Sequence, residues 1–245
     1  MPAEPALILW DVDHTLVSFP GLGRELHARA FQEVTGRPVA RVADLAGRTD
    51  RAIVVDTLRL NGIDRPESLL PAFYAALPAA AVALDDRLRR TGRVLPGARA
   101  AVESLARDGV VQSVVTGNLP SIARLKLACC ELTDLLDLAV GGYGDDGIDR
   151  AALVALAVGR AESAHRVTFV PARVVVVGDT AHDVRGARDA GVRVVGVATG
   201  ATTAETLAVA GADAVLTDLT DLAALHAAVY GDTIYGDTIY GDTVT

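Results

Sequence analysis

Leu7-Ile8-Leu9-Trp10-Asp11-Val12-Asp13-His14-Thr15-Leu16 carries more structural information than any other ten residues of this 245-residue chain. Four apolar residues run without alternation into two carboxylates spaced i, i+2, and a hydroxyl follows two positions later. An unbroken apolar run bounded by polar residues is the pattern of a strand buried on both faces. Asp11 and Asp13 then stand at its carboxyl end, on one side of the pleat if the strand persists that far. Two acids at such a place repel each other and lose hydration, so a bound cation or a catalytic task is needed to offset their burial. The alternative is a turn in which Asp13 caps the next segment, and an isolated Asp-x-Asp-x-Thr does not decide between the two.

Working outward, residues 18–23 are a Phe-Pro-Gly-Leu-Gly loop. Gly21-x-Gly23 is a poor start to a dinucleotide fingerprint, because Leu26 stands at the third glycine position and the acids precede the glycines. Helical spacing of Leu26, Ala30, Phe31 and Val34 predicts a helix over 24–35, ended by Gly36 and Pro38. Further helices are expected over 52–60 and 67–90, the second interrupted by Pro71 and Pro78. With no strand expected between 18 and 90, this block reads as a small helical domain inserted after the first strand.

Beyond residue 92 the pattern changes to helix 96–108, strand 110–115 ending at Thr116-Gly117-Asn118, and helix 121–131. Apolar residues 135–140 lead to a Gly-Gly-Tyr-Gly turn, and a helix starts at Asp149. Val174 to Val177 is the clearest buried strand and runs into Gly178-Asp179-Thr180-Ala181-His182-Asp183. A short helix, strand 192–197, helix 204–210, strand 214–216 and a last helix from Asp218 complete the series. Alternating strands and helices of this length predict an α/β fold with a doubly wound parallel sheet. The tail repeats Tyr-Gly-Asp-Thr from Tyr230. Copies of five residues are too short for a solenoid, so 231–245 reads as a disordered extension, with a partner-binding tail as the alternative. The domain reading is therefore a core of 1–17 and 92–230 with a helical insert of 18–91.

At 51% hydrophobic the chain can bury one large core, or a core with a small appended domain. No apolar run reaches about 18 residues and no basic region precedes an apolar one at the start, so no membrane partner is expected and the expected location is the cytoplasm. A net charge of −8 and a pI near 5.1 argue against nucleic acid as the main partner. Cys129 and Cys130 are adjacent, which suits neither a disulfide nor a Cys-x-x-Cys metal site. Lys126 is the only lysine, so any mechanism requiring one has a single candidate.

Ligands of an open parallel sheet bind beyond the carboxyl ends of its strands. There the chain delivers Asp11 and Asp13, then Thr116-Gly117-Asn118, then Asp179 and Asp183. Four acids without a cation would be strongly self-repulsive, and an all-oxygen cluster suits Mg²⁺ far better than zinc. A Thr-Gly-Asn corner at a helix start offers N–H donors to an anion, which matches a phosphate held opposite the metal.

Asp11-x-Asp13-x-Thr15, a strand ending in Thr116, a basic residue opening a later helix, and Gly178-Asp179-x-x-x-Asp183 occur in the order of the four motifs of the haloacid dehalogenase superfamily, which the chain resembles up to about Tyr230. The resemblance implies a Rossmann-like core with a small α-helical (C1-type) cap formed by 18–91. It implies Asp11 as nucleophile, forming an aspartyl-phosphate, and Asp13 as acid to the leaving alcohol and base to the water. It implies Mg²⁺ held by the Asp11 carboxylate, the Asp13 backbone carbonyl and Asp179, with Asp183 behind them or reaching through water. Thr116 would bind the phosphoryl group, and Thr15, Gly117 and Asn118 would line its seat. Arg150 stands where the family usually has lysine. Arginine keeps the charge and changes the geometry; the alternative is a solvated helix-start residue. His14 stands where glycine is commonest. In the insert, Arg48 of Gly47-Arg48-Thr49-Asp50 is a candidate anion contact, and a capping turn made by Thr49 and Asp50 is the alternative.

These assignments imply an Mg²⁺-dependent hydrolase of a small phosphorylated metabolite. Asp13 argues against a dehalogenase, and the absence of lysine from 18–90 argues against a phosphonatase using a Schiff base. A sugar-phosphate mutase shares all four motifs and could use Arg48. A non-catalytic binding protein on the same fold would be expected to have lost Asp11 or Asp13.

Overall fold

The computed structural model describes residues 5–231; the repeated tail after that point lies outside the described residues. In chain order the elements are β1 (Leu7–Trp10), β2 (Val17–Ser18), α1 (Leu22–Thr35), α2 (Asp50–Leu60), α3 (Leu70–Ala83), α4 (Asp85–Thr91), β3 (Arg93–Val94), α5 (Ala98–Arg107) and β4 (Val111–Val114). They continue with α6 (Pro120–Cys129), α7 (Arg150–His165), β5 (Val174–Gly178), α8 (Ala181–Asp189), β6 (Arg193–Val197), α9 (Ala204–Ala210), β7 (Ala214–Leu216) and α10 (Leu222–Tyr230).

Five strands form one parallel sheet in the order β4-β1-β5-β6-β7. The expected doubly wound α/β fold is the one observed. β1 is central, and its burial on both faces follows from its composition: Ile8 and Trp10 enter one apolar cluster while Leu7 and Leu9 enter the other. Val175 and Val177 of β5 join the first cluster and Val174 and Val176 the second. Trp10 satisfies its buried indole N–H on Gln112 Oε1 at 3.0 Å, and Gln112 in turn donates to the Val102 carbonyl of α5. The chain passes from β1 to β4 on one side and to β5 on the other, so the point where strand order reverses lies between β1 and β5. A crevice opens there, at the carboxyl ends.

Helices α1 to α4 lie between β2 and β3, a two-residue antiparallel ribbon pairing Val17 with Val94 and Ser18 with Arg93. Gly36 closes α1 at φ 71°, a left-handed conformation that favours glycine. The expected interruptions at Pro71 and Pro78 do not occur. Pro71 sits in the first turn of α3, where its missing N–H is unneeded, and the helix continues through Pro78 to break at Leu84. Burial of Phe73, Leu77, Ala80 and Ala81 on one side outweighs the lost hydrogen bond. Residues 135–140 add no strand; only Gly142 bridges to Val115. Cys129 and Cys130 close α6 as free thiols. Among the described residues no single helix is long and apolar enough to cross a membrane.

Candidate active site

The sheet register puts Asp11 one residue beyond the end of β1, its N–H bonded to the Val177 carbonyl of β5 at 2.8 Å. Asp179 follows β5 directly, and Thr180 caps α8 in a reciprocal box with Asp183, whose Oδ2 accepts from both the Thr180 N–H (3.0 Å) and its hydroxyl (2.6 Å). The carboxylates of Asp11, Asp179 and Asp183 all offer an oxygen within 4.8 Å of one another, and all three residues are buried. Asp183 Oδ1 is buried and accepts no hydrogen bond, its one ion-pair contact being Arg150 Nη2 at 3.1 Å. A buried acceptor of this kind between two other carboxylates fits a hard cation with oxygen ligands.

The electrostatics agree. Burial, then the charges of Asp183, Asp179 and Asp13, push the Asp11 carboxyl well above its ordinary range, against the pull of Arg150. Burial and Asp183 push Asp179 up to about 7. Among the described residues one cation pairs with this cluster: Arg150, the first residue of α7, 3.1 Å from Asp183 and 3.9 Å from Asp11. Gly186 makes room for it, since a Cβ there would collide with the Arg150 stem. The Arg150 Nε has no partner. Solvated helix-start arginine is therefore not its state; it is buried among acids.

Asp13 is treated differently. Burial alone would raise it, but the Lys126 ammonium at 2.5 Å, together with Asn118 Nδ2 at 2.7 Å, brings its carboxyl below the ordinary value. Thr116, at the end of β4, accepts from Asn118 Nδ2 at 2.9 Å and hangs its own N–H on the Gly142 carbonyl. His14 has φ 62°, which explains why glycine suits this position; its carbonyl accepts from the Thr199 hydroxyl at 2.5 Å.

These groups share one cavity of about 480 Å³, walled on the other side by the insert residues Phe19, Arg24, His27, Leu45, Arg48 and Asp50. Of the residues expected in a site, it brings together Asp11, Asp13, Thr116, Gly117, Asn118, Arg150, Asp179 and Arg48. Asp183 sits directly behind them. Thr15 is not among the lining side chains: it is fully buried, with its hydroxyl unpartnered. Arg48 reaches the wall, but its guanidinium lies 2.5 Å from Asp56 of α2, while Thr49 caps that helix.

Several lining residues were not singled out as site groups in the sequence. Lys126 sits seven residues into α6, and only the folded helix turns it towards Asp13. Asp50 receives the Leu119 N–H at 2.7 Å, gives its own N–H to the Gly117 carbonyl at 2.6 Å, and lies 3.5 Å from the buried His27. Burial raises the Asp50 carboxyl despite these partners. Thr180 and Gly200 also line the wall, and a Cβ at Gly200 would overlap the Asp179 carboxylate. Lys126 stood out as the solitary lysine and Asp50 as part of the Gly47-Arg48-Thr49-Asp50 turn; no local signal marked His27, Thr180 or Gly200.

A family profile described as HAD-hydrolase-like matches residues 151–222. No curated protein matches the sequence. Among solved structures, the chain is similar to a haloacid dehalogenase-like family hydrolase from Streptococcus pneumoniae, at 18% identity and TM-score 0.63 over 90% of this chain and 98% of that one. It is similar to a conserved haloacid dehalogenase-like protein of unknown function from Agrobacterium tumefaciens, at 27% identity and TM-score 0.55 over 91% and 98%. A structure described as a predicted phosphatase from Clostridium acetobutylicum aligns at 18% identity and TM-score 0.65 over 90% and 97%. Residues 151–222 match the HAD-hydrolase-like profile, and the strand order of the whole chain agrees with the fold of these haloacid dehalogenase-like structures.

Proposed function

We propose that this protein is an Mg²⁺-dependent phosphomonoester hydrolase acting on a small cytoplasmic metabolite. The observation that carries the reading is the separation of two adjacent acids into different environments: Asp11 faces the carboxylate cluster, whereas Asp13 faces Lys126 and Asn118. Different partners allow neighbouring carboxyls different roles; the rise of Asp11 belongs to the cation-free acid cluster, and the charge of a bound cation would lower it. The Asp11 carboxylate would attack phosphorus, forming an O–P bond as the P–O bond to the alcohol breaks; the departing oxygen takes a proton from Asp13. Water would then attack the aspartyl-phosphate, pass a proton to Asp13, and release phosphate.

Arg150 stands beside Asp11 as a fixed cation for the negative charge on the transferring group, and Thr116 with the Gly117 and Asn118 backbone would hold its oxygens. Mg²⁺ would be held by Asp11 and Asp179, with Asp183 beside them, and would supply further charge neutralisation when bound. We read residues 18–91 as a cap over the core, on the strength of the insert side chains that wall the cavity. A volume of about 480 Å³ suits a small substrate. The mutase alternative keeps the four shared motifs, but Arg48, the insert cation it could use, is engaged by Asp56.

The test is hydrolysis of p-nitrophenyl phosphate and a panel of small phosphate esters, with and without Mg²⁺, by wild type and Asp11→Asn. Activity that requires Mg²⁺ and disappears in Asp11→Asn supports the reading. Undiminished activity in Asp11→Asn, or none across the panel, overturns it.

A further inference from the structure

The only lysine of the chain is 5% exposed, in the last turn of α6. Lysine is almost never buried without a partner. Lys126 has two, Asp13 Oδ2 at 2.5 Å and Asn118 Oδ1 at 2.8 Å. Asn118 closes the ring, giving its Nδ2 hydrogens to the same Asp13 oxygen at 2.7 Å and to Thr116 Oγ1 at 2.9 Å. Both donors to the Asp13 carboxyl therefore converge on Oδ2. Among the described residues no hydrogen bond reaches Oδ1, and the Asp13 side chain is 34% exposed on the cavity wall.

We propose that Lys126 is a positioning residue for the reaction: with Asn118 it pins the Asp13 carboxyl by one oxygen and thereby presents the other to the oxygen of the leaving alcohol. The assignment rests on the phosphomonoester reading. Two donors at fixed positions remove the rotation of the carboxyl about its Cβ–Cγ bond, so the neutral acid carries its proton on Oδ1, the oxygen facing the substrate. Geometry of this kind matters in proportion to how much the leaving group needs the proton. An alkoxide is a strong base and needs it. p-Nitrophenolate is a weak base and departs without it.

The experiment compares kcat and KM for β-glycerophosphate and p-nitrophenyl phosphate in wild type, Lys126→Met and Asn118→Ser, each with Mg²⁺. Lys126→Met keeps the apolar stem and removes the ammonium; Asn118→Ser frees the same oxygen from the other side without leaving a charge unpaired. The expected result is a fall in kcat for β-glycerophosphate of about 10- to 100-fold in Lys126→Met, with less than about a 3-fold change for p-nitrophenyl phosphate. Asn118→Ser should shift the ratio in the same direction, and it carries the test alone if Lys126→Met does not fold. Equal losses on the two esters, or no loss on either, overturn the positioning role while leaving the hydrolase reading intact. A wild type inactive on both esters overturns the hydrolase reading and the role of Lys126 together.

Discussion

Asp179 stores the sharpest measurable consequence of this site. Its carboxyl sits at about 7 in the folded chain against an ordinary value of 3.8, because it is buried beside Asp183. Between those values the folded protein binds a proton that the unfolded chain does not, so stability is greatest below the lower value and is lost as pH rises through the higher one. Evaluated between pH 5.5 and pH 8, this one group should remove about 2 kcal/mol of stability from the metal-free protein. For a chain of this size that is about 4–8 °C in Tm. Asp11, raised by the same neighbours, acts in the same direction. His182, whose imidazole is lowered by burial and by Arg185, acts oppositely. Comparison with Asp179→Asn cancels the histidine and isolates the carboxylate. Thermal unfolding followed by circular dichroism, in chelator, should show wild type losing several degrees more than Asp179→Asn between the two pH values. Adding Mg²⁺ at pH 8 should restore wild type and leave the variant nearly unmoved. Parallel pH dependence in the two proteins, or no Mg²⁺ response at pH 8, would refute a cation-binding role for these acids.

Removing Arg150 should be severe, because Asp11 and Asp183 would be left without their buried cation. Arg150→Met is expected to cost about 3–5 kcal/mol unless Mg²⁺ is present, read by urea denaturation with and without metal. Gly117→Ala places a methyl against the Arg48 carbonyl, so the loop 48–50 must move off the core. Its KM for any accepted ester should rise several-fold in steady-state assays, while Gly159→Ala, inside α7 with open space around it and an ordinary helical backbone, serves as the stability control. Asp50→Ala leaves the Leu119 N–H at the start of α6 unpaired and should cost about 1–3 kcal/mol, measured as a fall in the urea midpoint.

The sheet was legible because its strands are apolar without alternation, a pattern that only burial on both faces explains; the runs at 7–10 and 174–177 needed no tertiary knowledge. Helix ends set by backbone chemistry, such as Gly36 and Asp149, were equally legible. Pro78 misled because local propensity cannot weigh the apolar packing that carries α3 through it. The acids and Arg150 were found because strand ends fix where they meet. Lys126 and His27 were not, and Asp50 was read only as part of a polar turn, because their meeting depends on which face of α6 turns inward and on how the insert lies against Gly117. Thr15 shows the converse: its place in the motif drew attention, yet its hydroxyl is sealed within the fold.

The two-residue ribbon of β2 and β3 is small, but it sets what can be exchanged in this molecule. Pairing Val17 with Val94 brings the way into the helical insert and the way out of it side by side, a strand spacing apart. A graft at these two residues could therefore replace everything between them without altering the path of β1 or the position of Asp11. The chain crosses between the core and the insert only at this ribbon, so a lineage, or an engineer, can trade the insert while keeping the strand that carries Asp11.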